Sequence, residues 1–236
     1  MSSSKVEPVT ITIDDALRVS GLLQTPKSAL ACFVLAHGAG AGMTHPFMTA
    51  VATELAERGI ATLRYQFPYM EKGSKRPDPP KLAHAAVRAA VEEALLLMPD
   101  TPLIAGGKSF GGRMTSQAQA LAPLPGVRGL AFLGFPLHPA GRPSHDRGKH
   151  LFEVHIPMLF LQGTRDALAE INELKPLCEA LGPRAALKLF PDADHSFHVP
   201  VRTGRTDSQM RVEVLDTLTA WIACVIAPAS ESCHRS

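Results

Sequence analysis

Strand-like and helix-like segments alternate along this chain, and the alternation predicts an α/β fold: a mostly parallel central sheet with helices on both faces. Three observations carry that prediction. Short apolar runs such as residues 29–36 are continuous rather than alternating, the pattern of strands buried on both sides. Longer segments between them place apolar residues near helical spacing, as Leu82, Ala85, Ala86, Ala89, Ala90 and Ala94 do within residues 81–98. Glycine- and proline-rich turns mark the joins.

The elements follow in order. Residues 9–13 alternate as a strand does, Asp14-Asp15 reads as a turn, and residues 17–23 form the return strand, so an antiparallel hairpin is expected at the front. Residues 29–36 are the first inner strand. The glycine-rich turn His37-Gly38-Ala39-Gly40-Ala41-Gly42 leads into a helix over residues 46–58, with Pro46 in its first turn and Gly59 at its end. Strand 60–65 follows, then a polar, proline-rich loop over residues 66–80 and the helix 81–98. Strand 101–106, helix 112–122, strand 129–134, strand 157–162, helix 169–181, strand 186–190 and helix 207–226 complete the series. No repeat or long linker divides it, so a single domain over residues 1–236 is expected.

Composition narrows the class. A chain of 236 residues buries roughly 70% of its surface on folding, enough for a sizeable core without staples. Apolar residues at 45% and charged residues at 19% exclude a disordered chain. The net charge of +2 gives no electrostatic case for nucleic acid, and no apolar run is long enough to span a membrane. Residues 1–8 lack the apolar core of a signal peptide. Cys32, Cys178, Cys224 and Cys233 are scattered without a C-x-x-C pair, as expected of reduced, mostly buried thiols in a cytoplasmic protein. His138, His145, His150 and His155 share one loop-rich stretch without the spacing of a metal-binding helix, so no metal site is expected.

Ligands of such sheets bind beyond the carboxyl ends of the strands, so chemistry is sought just after each strand. After strand 101–106 comes Gly107-Lys108-Ser109-Phe110-Gly111-Gly112, a G-x-S-x-G pattern between a strand and a helix. A serine nucleophile there sits on a sharp turn, and its neighbours two residues away must be small. The spacing does not fit a phosphate-binding Walker loop. A serine hydroxyl needs a base, and the base needs an orienting carboxylate. Asp166 follows strand 157–162, and His195 follows strand 186–190, which gives the chain order Ser, Asp, His at three separate strand ends. Asp192 and Asp194 compete for the acid role, but so close to His195 they cannot easily reach its outer ring nitrogen, so Asp166 is preferred. The N–H of Phe110 and that of Ala39, with Gly40 close behind, are the candidate donors to an oxyanion. His37 reads as a structural turn residue.

Six stretches extend this pattern: His37-Gly38-Ala39-Gly40-Ala41-Gly42-Met43, Phe67-Pro68-Tyr69-Met70-Glu71, Gly106-Gly107-Lys108-Ser109-Phe110-Gly111-Gly112-Arg113, Phe135-Pro136-Leu137-His138-Pro139, Gln162-Gly163-Thr164-Arg165-Asp166 and Asp194-His195-Ser196-Phe197. On them the chain resembles an α/β-hydrolase over nearly its whole length. More narrowly it resembles the α/β-hydrolase-like family of testis-expressed proteins and subunit 3 of the non-specific lethal complex, which includes many small bacterial members. The resemblance implies the same nucleophile, acid and base at Ser109, Asp166 and His195. It also implies kinship to dienelactone hydrolases, which carry a cysteine where this chain has Ser109.

Many lipases and esterases insert a lid between the strands that here bound residues 135–156. About 20 residues leave no room for a helical cap, so an open site is expected. Gly40, Phe67, Tyr69, Lys108 and His138 are the candidate pocket residues, and the loop cations Lys72, Lys75 and Arg76 could favour an anionic substrate. The expected activity is hydrolysis of a small carboxylic ester or thioester, without a cofactor. The alternative is a non-catalytic scaffold of the same fold, since fold alone does not fix function.

Overall fold

The alternation folds into one eight-stranded sheet, ordered β1-β2-β4-β3-β5-β6-β7-β8. The structure is a computed structural model and describes residues 4–227; Cys233 and the first three residues of the stretch 1–8 lie outside the described residues. The strands are β1 (Lys5–Thr12), β2 (Arg18–Thr25), β3 (Ala31–Ala36), β4 (Ile60–Tyr65), β5 (Leu103–Lys108), β6 (Val127–Leu133), β7 (Met158–Gly163) and β8 (Ala185–Phe190). The hairpin β1–β2 pairs antiparallel within itself and onto β4, and every other pairing is parallel. β1 runs further than expected, starting at Lys5 rather than residue 9. Pro8 is tolerated inside it because an edge strand leaves one side of its ladder unpaired.

The helices are α1 (Pro46–Glu57), α2 (Pro68–Glu71), α3 (Pro80–Leu97), α4 (Phe110–Leu121), α5 (Ile171–Leu181) and α6 (Asp207–Ile226). β3, β4, β6 and β7 are buried almost throughout, which is why their sequences run apolar without alternation. Their side chains feed two cores. Phe33, Leu35, Ile104 and Leu161 pack with Met48, Val51 and Leu55 of α1 and Val214, Leu218 and Ile222 of α6. On the other face Val34, Phe132 and Phe160 pack with Val87 and Ala90 of α3, Met114 of α4 and Leu177 of α5. α6 opens with a capping box: Gln209 N–H donates to Thr206 Oγ1 at 3.2 Å, and Thr206 N–H donates to Gln209 Oε1 at 2.9 Å.

Two differences from the sequence reading concern the site. β5 runs on through its glycines to Lys108 and α4 begins at Phe110, so no loop separates strand from helix: Ser109 is the whole connection. Between β6 and β7 the expected loop contains a 3₁₀ segment, Asp146–Glu153, packed on α4, where Ser116 Oγ and His150 Nε2 are 2.7 Å apart. No cap rises over the sheet there. Among the described residues, no helix is long and apolar enough to cross a membrane.

Candidate active site

Ser109 takes its geometry from the glycines around it. Its backbone sits at φ 50° and ψ −116°, a strained conformation for a residue with a side chain. A Cβ on Gly111 would lie 2.5 Å from the His37 carbonyl oxygen and 2.6 Å from that of Ala36, so only glycine lets α4 approach the end of β3. This close approach sets the Ser109 turn beside the glycine-rich turn.

The three strand ends converge. Ser109 Oγ and His195 Nε2 are 2.8 Å apart, and His195 Nδ1 and Asp166 Oδ2 are 2.6 Å apart. Asp166 is almost fully buried, whereas His195 keeps a partly exposed ring. The Asp166 carboxylate also accepts Leu168 N–H at Oδ1, 2.8 Å, and the Gln162 side-chain amide at Oδ2. Gln162 is itself fixed, because its Oε1 accepts Phe135 N–H at 2.9 Å. Asp192 and Asp194 do not touch the His195 ring. Asp194 Oδ1 accepts Ser196 N–H and His198 N–H and so braces its own loop. Asp192 faces Arg202 at 3.6 Å.

Lys108 reaches across to this loop and donates to the His195 carbonyl at 2.5 Å. Burial pushes its ammonium down to about 8, against the opposing pull of the Asp166 and Asp194 charges. Close packing holds the Asp166 loop as well: a Cβ on Gly163 would meet the Ala193 carbonyl oxygen at 2.3 Å.

A cavity of about 510 Å³ opens onto Ser109 and His195. Gly38, Ala39, Lys108 and Leu168 line it, with His45, Phe47 and Met48 of the α1 entrance, which the sequence reading did not single out. Of the expected pocket residues, Lys108 therefore reaches the cavity, with Ala39 beside it. Gly40 is exposed and is not among the lining residues. Phe67 is a correction: it is fully buried behind the site, edge-on to His37 at 5.0 Å and to Phe110 at 5.2 Å. Tyr69 is buried beside it, and with Lys72 and Arg76 it lines a separate hollow of about 450 Å³ that does not include Ser109.

His138 is the second correction, and it shares a role with His37. Each ring joins two loops. His37 Nδ1–H donates to Gly38 O at 2.8 Å while Nε2 accepts Phe67 N–H at 3.0 Å. His138 Nδ1–H donates to Pro139 O at 2.9 Å while Nε2 accepts Glu170 N–H at 3.2 Å. In both, the accepting Nε2 fixes the tautomer. Burial pushes the His37 imidazole down to about 4, outweighing the Gly38 carbonyl. Between an ordinary histidine value near 6.5 and 4 the unfolded chain therefore binds a proton that the native state refuses. This contribution, on the order of 3 kcal/mol, is complete above pH 6.5 and is lost as pH falls through the window. Urea unfolding at pH 7, 6 and 5 should show the midpoint dropping, and a flat profile would contradict this.

The fold and this convergence decide the family together with one comparison. Residues 29–223 match the family profile of the alpha/beta hydrolase domain. The chain belongs to the α/β-hydrolase family. Solved α/β-hydrolases share its architecture at low identity. A dienelactone hydrolase from Anabaena variabilis is 21% identical with a TM-score of 0.75, over 93% of this chain and 97% of that one. An α/β serine hydrolase homologue from Coxiella burnetii is 19% identical with a TM-score of 0.73, over 90% and 97%. A lidless α/β serine hydrolase from Xanthomonas campestris is 21% identical with a TM-score of 0.70, over 92% and 95%. As an α/β-hydrolase, the chain is a hydrolase in general terms, and the absence of a cap over β6 and β7 agrees with its lidless neighbour.

Proposed function

We propose that this α/β-hydrolase is a serine hydrolase that cleaves a small carboxylic ester or thioester through an acyl-enzyme. The observation that carries the reading is the hydrogen-bonded chain Asp166–His195–Ser109 at the mouth of an open cavity. A scaffold would have no need of that alignment.

With Nδ1–H donating to Asp166, His195 presents an unprotonated Nε2 to the serine hydroxyl. As Ser109 Oγ attacks the carbonyl carbon, its proton passes to Nε2. The carbonyl π pair becomes an oxyanion, held by the N–H groups of Phe110 and Ala39. Phe110 is the first residue of α4, so its N–H has no acceptor within the helix. The imidazolium, stabilised by Asp166, then gives its proton to the departing alcohol or thiol. Water repeats the sequence on the acyl-enzyme and frees Ser109. No cofactor enters these steps. The apolar wall of Phe47, Met48 and Leu168 suits a small organic group rather than a long buried chain.

Labelling with a fluorophosphonate probe tests the reading directly. Wild type should label, and His195→Asn should lose labelling while remaining folded. A well-folded wild type that resists the probe would favour the scaffold.

A further inference from the structure

A second cavity, of about 380 Å³, meets the first at Ala39, Ser109 and Leu168. Its walls carry Arg113 from α4 and Arg147 from the 3₁₀ segment, with Phe110 and Met114 between them. Ser109 thus stands on the ridge between a mainly apolar hollow and one with two guanidinium groups.

These two arginines stand apart from the rest. The other partly or fully buried arginines have partners: Arg58 pairs with Asp216, Arg205 with Glu213 and Arg211 with Glu54. Arg64, Arg88 and Arg184 donate to backbone carbonyls. Among the described residues, the guanidinium groups of Arg113 and Arg147 have neither a carboxylate within ion-pair distance nor a hydrogen bond. Arg113 Nε is buried without an acceptor, and its guanidinium lies 5.9 Å from the centre of the Phe110 ring. Burial, and then the charge of Arg147, lowers the Arg113 pKa, so the two cations face one another without relief. His84 of α3 and His150 of the 3₁₀ segment border the same cluster, and both are held below the usual histidine value, first by burial. The one carboxylate on the wall, Asp78, accepts Tyr69 N–H at 2.9 Å and pairs with neither arginine. A buried cation left unpaired is costly, and an anion bound between the two would remove that cost.

The position of His195 sets which half of the substrate carries the anion. It lines the larger cavity and not the arginine cavity. The leaving group must lie where His195 can protonate it, so the acyl body extends the other way. We infer that the preferred substrate is a monoester or monothioester of a short dicarboxylic acid, its free carboxylate held by Arg113 and Arg147. This deepens the serine-hydrolase reading and rests on it. Guanidinium forks match a planar carboxylate in two parallel hydrogen bonds, which suits a carboxylate terminus.

Two chromogenic esters separate the outcomes: mono-4-nitrophenyl adipate and its neutral counterpart, 4-nitrophenyl methyl adipate. Wild type should favour the anionic ester by about 10- to 100-fold in kcat/KM, carried mainly by KM and narrowing with added salt. Arg113→Gln and Arg147→Gln should each bring that ratio toward one. Arg147 lies on a partly exposed segment, so its variant serves if Arg113→Gln does not fold. A wild-type ratio at or below one, or a ratio unchanged in both variants, overturns the inference while leaving the hydrolase reading intact. Should neither ester turn over, calorimetric titration with adipate decides. Binding that both variants abolish supports the subsite, with the fluorophosphonate probe deciding the serine-hydrolase reading separately; no binding to wild type, or binding unchanged in both variants, overturns the subsite.

Discussion

Ser109→Ala is expected to lower kcat by about 10⁴- to 10⁶-fold on any ester the wild type accepts, with the fold unchanged. The size follows from what the substitution removes. Ser109 Oγ is the group 2.8 Å from His195 Nε2, and without it neither the proton transfer nor the acyl-enzyme can form. On the proposed mechanism what remains is the Phe110 and Ala39 N–H groups and the cavity walls, which would hold a substrate for attack by water alone. Alanine carries the same Cβ at the same strained φ of 50°, so the turn should be no worse accommodated than before. Steady-state kinetics with a parallel thermal melt reads both halves. Full turnover in a folded Ser109→Ala protein would end the proposal, and a large drop in melting temperature would mean that the loss came from the fold.

Gly106→Ala and Gly107→Ala should be the most damaging small changes to the fold, each costing more than about 4 kcal/mol or preventing folding altogether. β5 lies between β3 and β6. A Cβ on Gly106 would stand 1.9 Å from the Ala131 carbonyl oxygen of β6, and one on Gly107 would stand 2.2 Å from the Ala36 carbonyl oxygen of β3. The strand is therefore pressed from both sides by backbone, which cannot rotate away as a side chain can. Gly106 also adopts φ +151°, which L-residues avoid. Gly204→Ala is the control: it too has positive φ, but nothing lies within 4 Å of its Cβ, so it should cost only about 1–2 kcal/mol. Urea denaturation of the three variants should separate crowding from backbone conformation. Near-equal costs would show that the sheet relaxes around the added carbon.

The sequence made the strands legible because a parallel sheet buries both faces and leaves uninterrupted apolar runs. It pointed to Ser109 and Asp166 because each lies within three residues of the end of such a run, and to His195 because it falls in the loop after β8, an edge strand that is only partly buried. It could not say which way a side chain turns once the strand has ended. Phe67 and His138 occupy strand ends too, yet they point into the protein, and an aromatic or imidazole ring serves equally well on either side. α2 has four residues, too few to show a helical period. Arg113 stands four residues after Ser109, one turn along α4, and that spacing alone could have drawn attention to it. Arg147 had no such signal. It joins Arg113 only because the 3₁₀ segment packs on α4, a contact across 34 residues that no local pattern encodes. Gln162 left a fainter trace, a polar residue at the end of a buried run.

The surroundings of Asp166 bear on how this position could change over evolutionary time. Both carboxylate oxygens face donors: Leu168 N–H on one, and the Gln162 amide and the imidazole N–H on the other. Asparagine matches the shape but must turn its NH₂ toward one of these sets. Facing Leu168, it sets two donors against each other. Facing His195, it opposes the Gln162 amide and drives the imidazole proton to the nitrogen beside Ser109. Gln162 cannot flip to compensate without giving up Phe135 N–H. A lineage drifting from aspartate to asparagine here would therefore have to alter Gln162 and the start of the β6–β7 connection in concert. The position is constrained by its neighbours as much as by any reaction it serves.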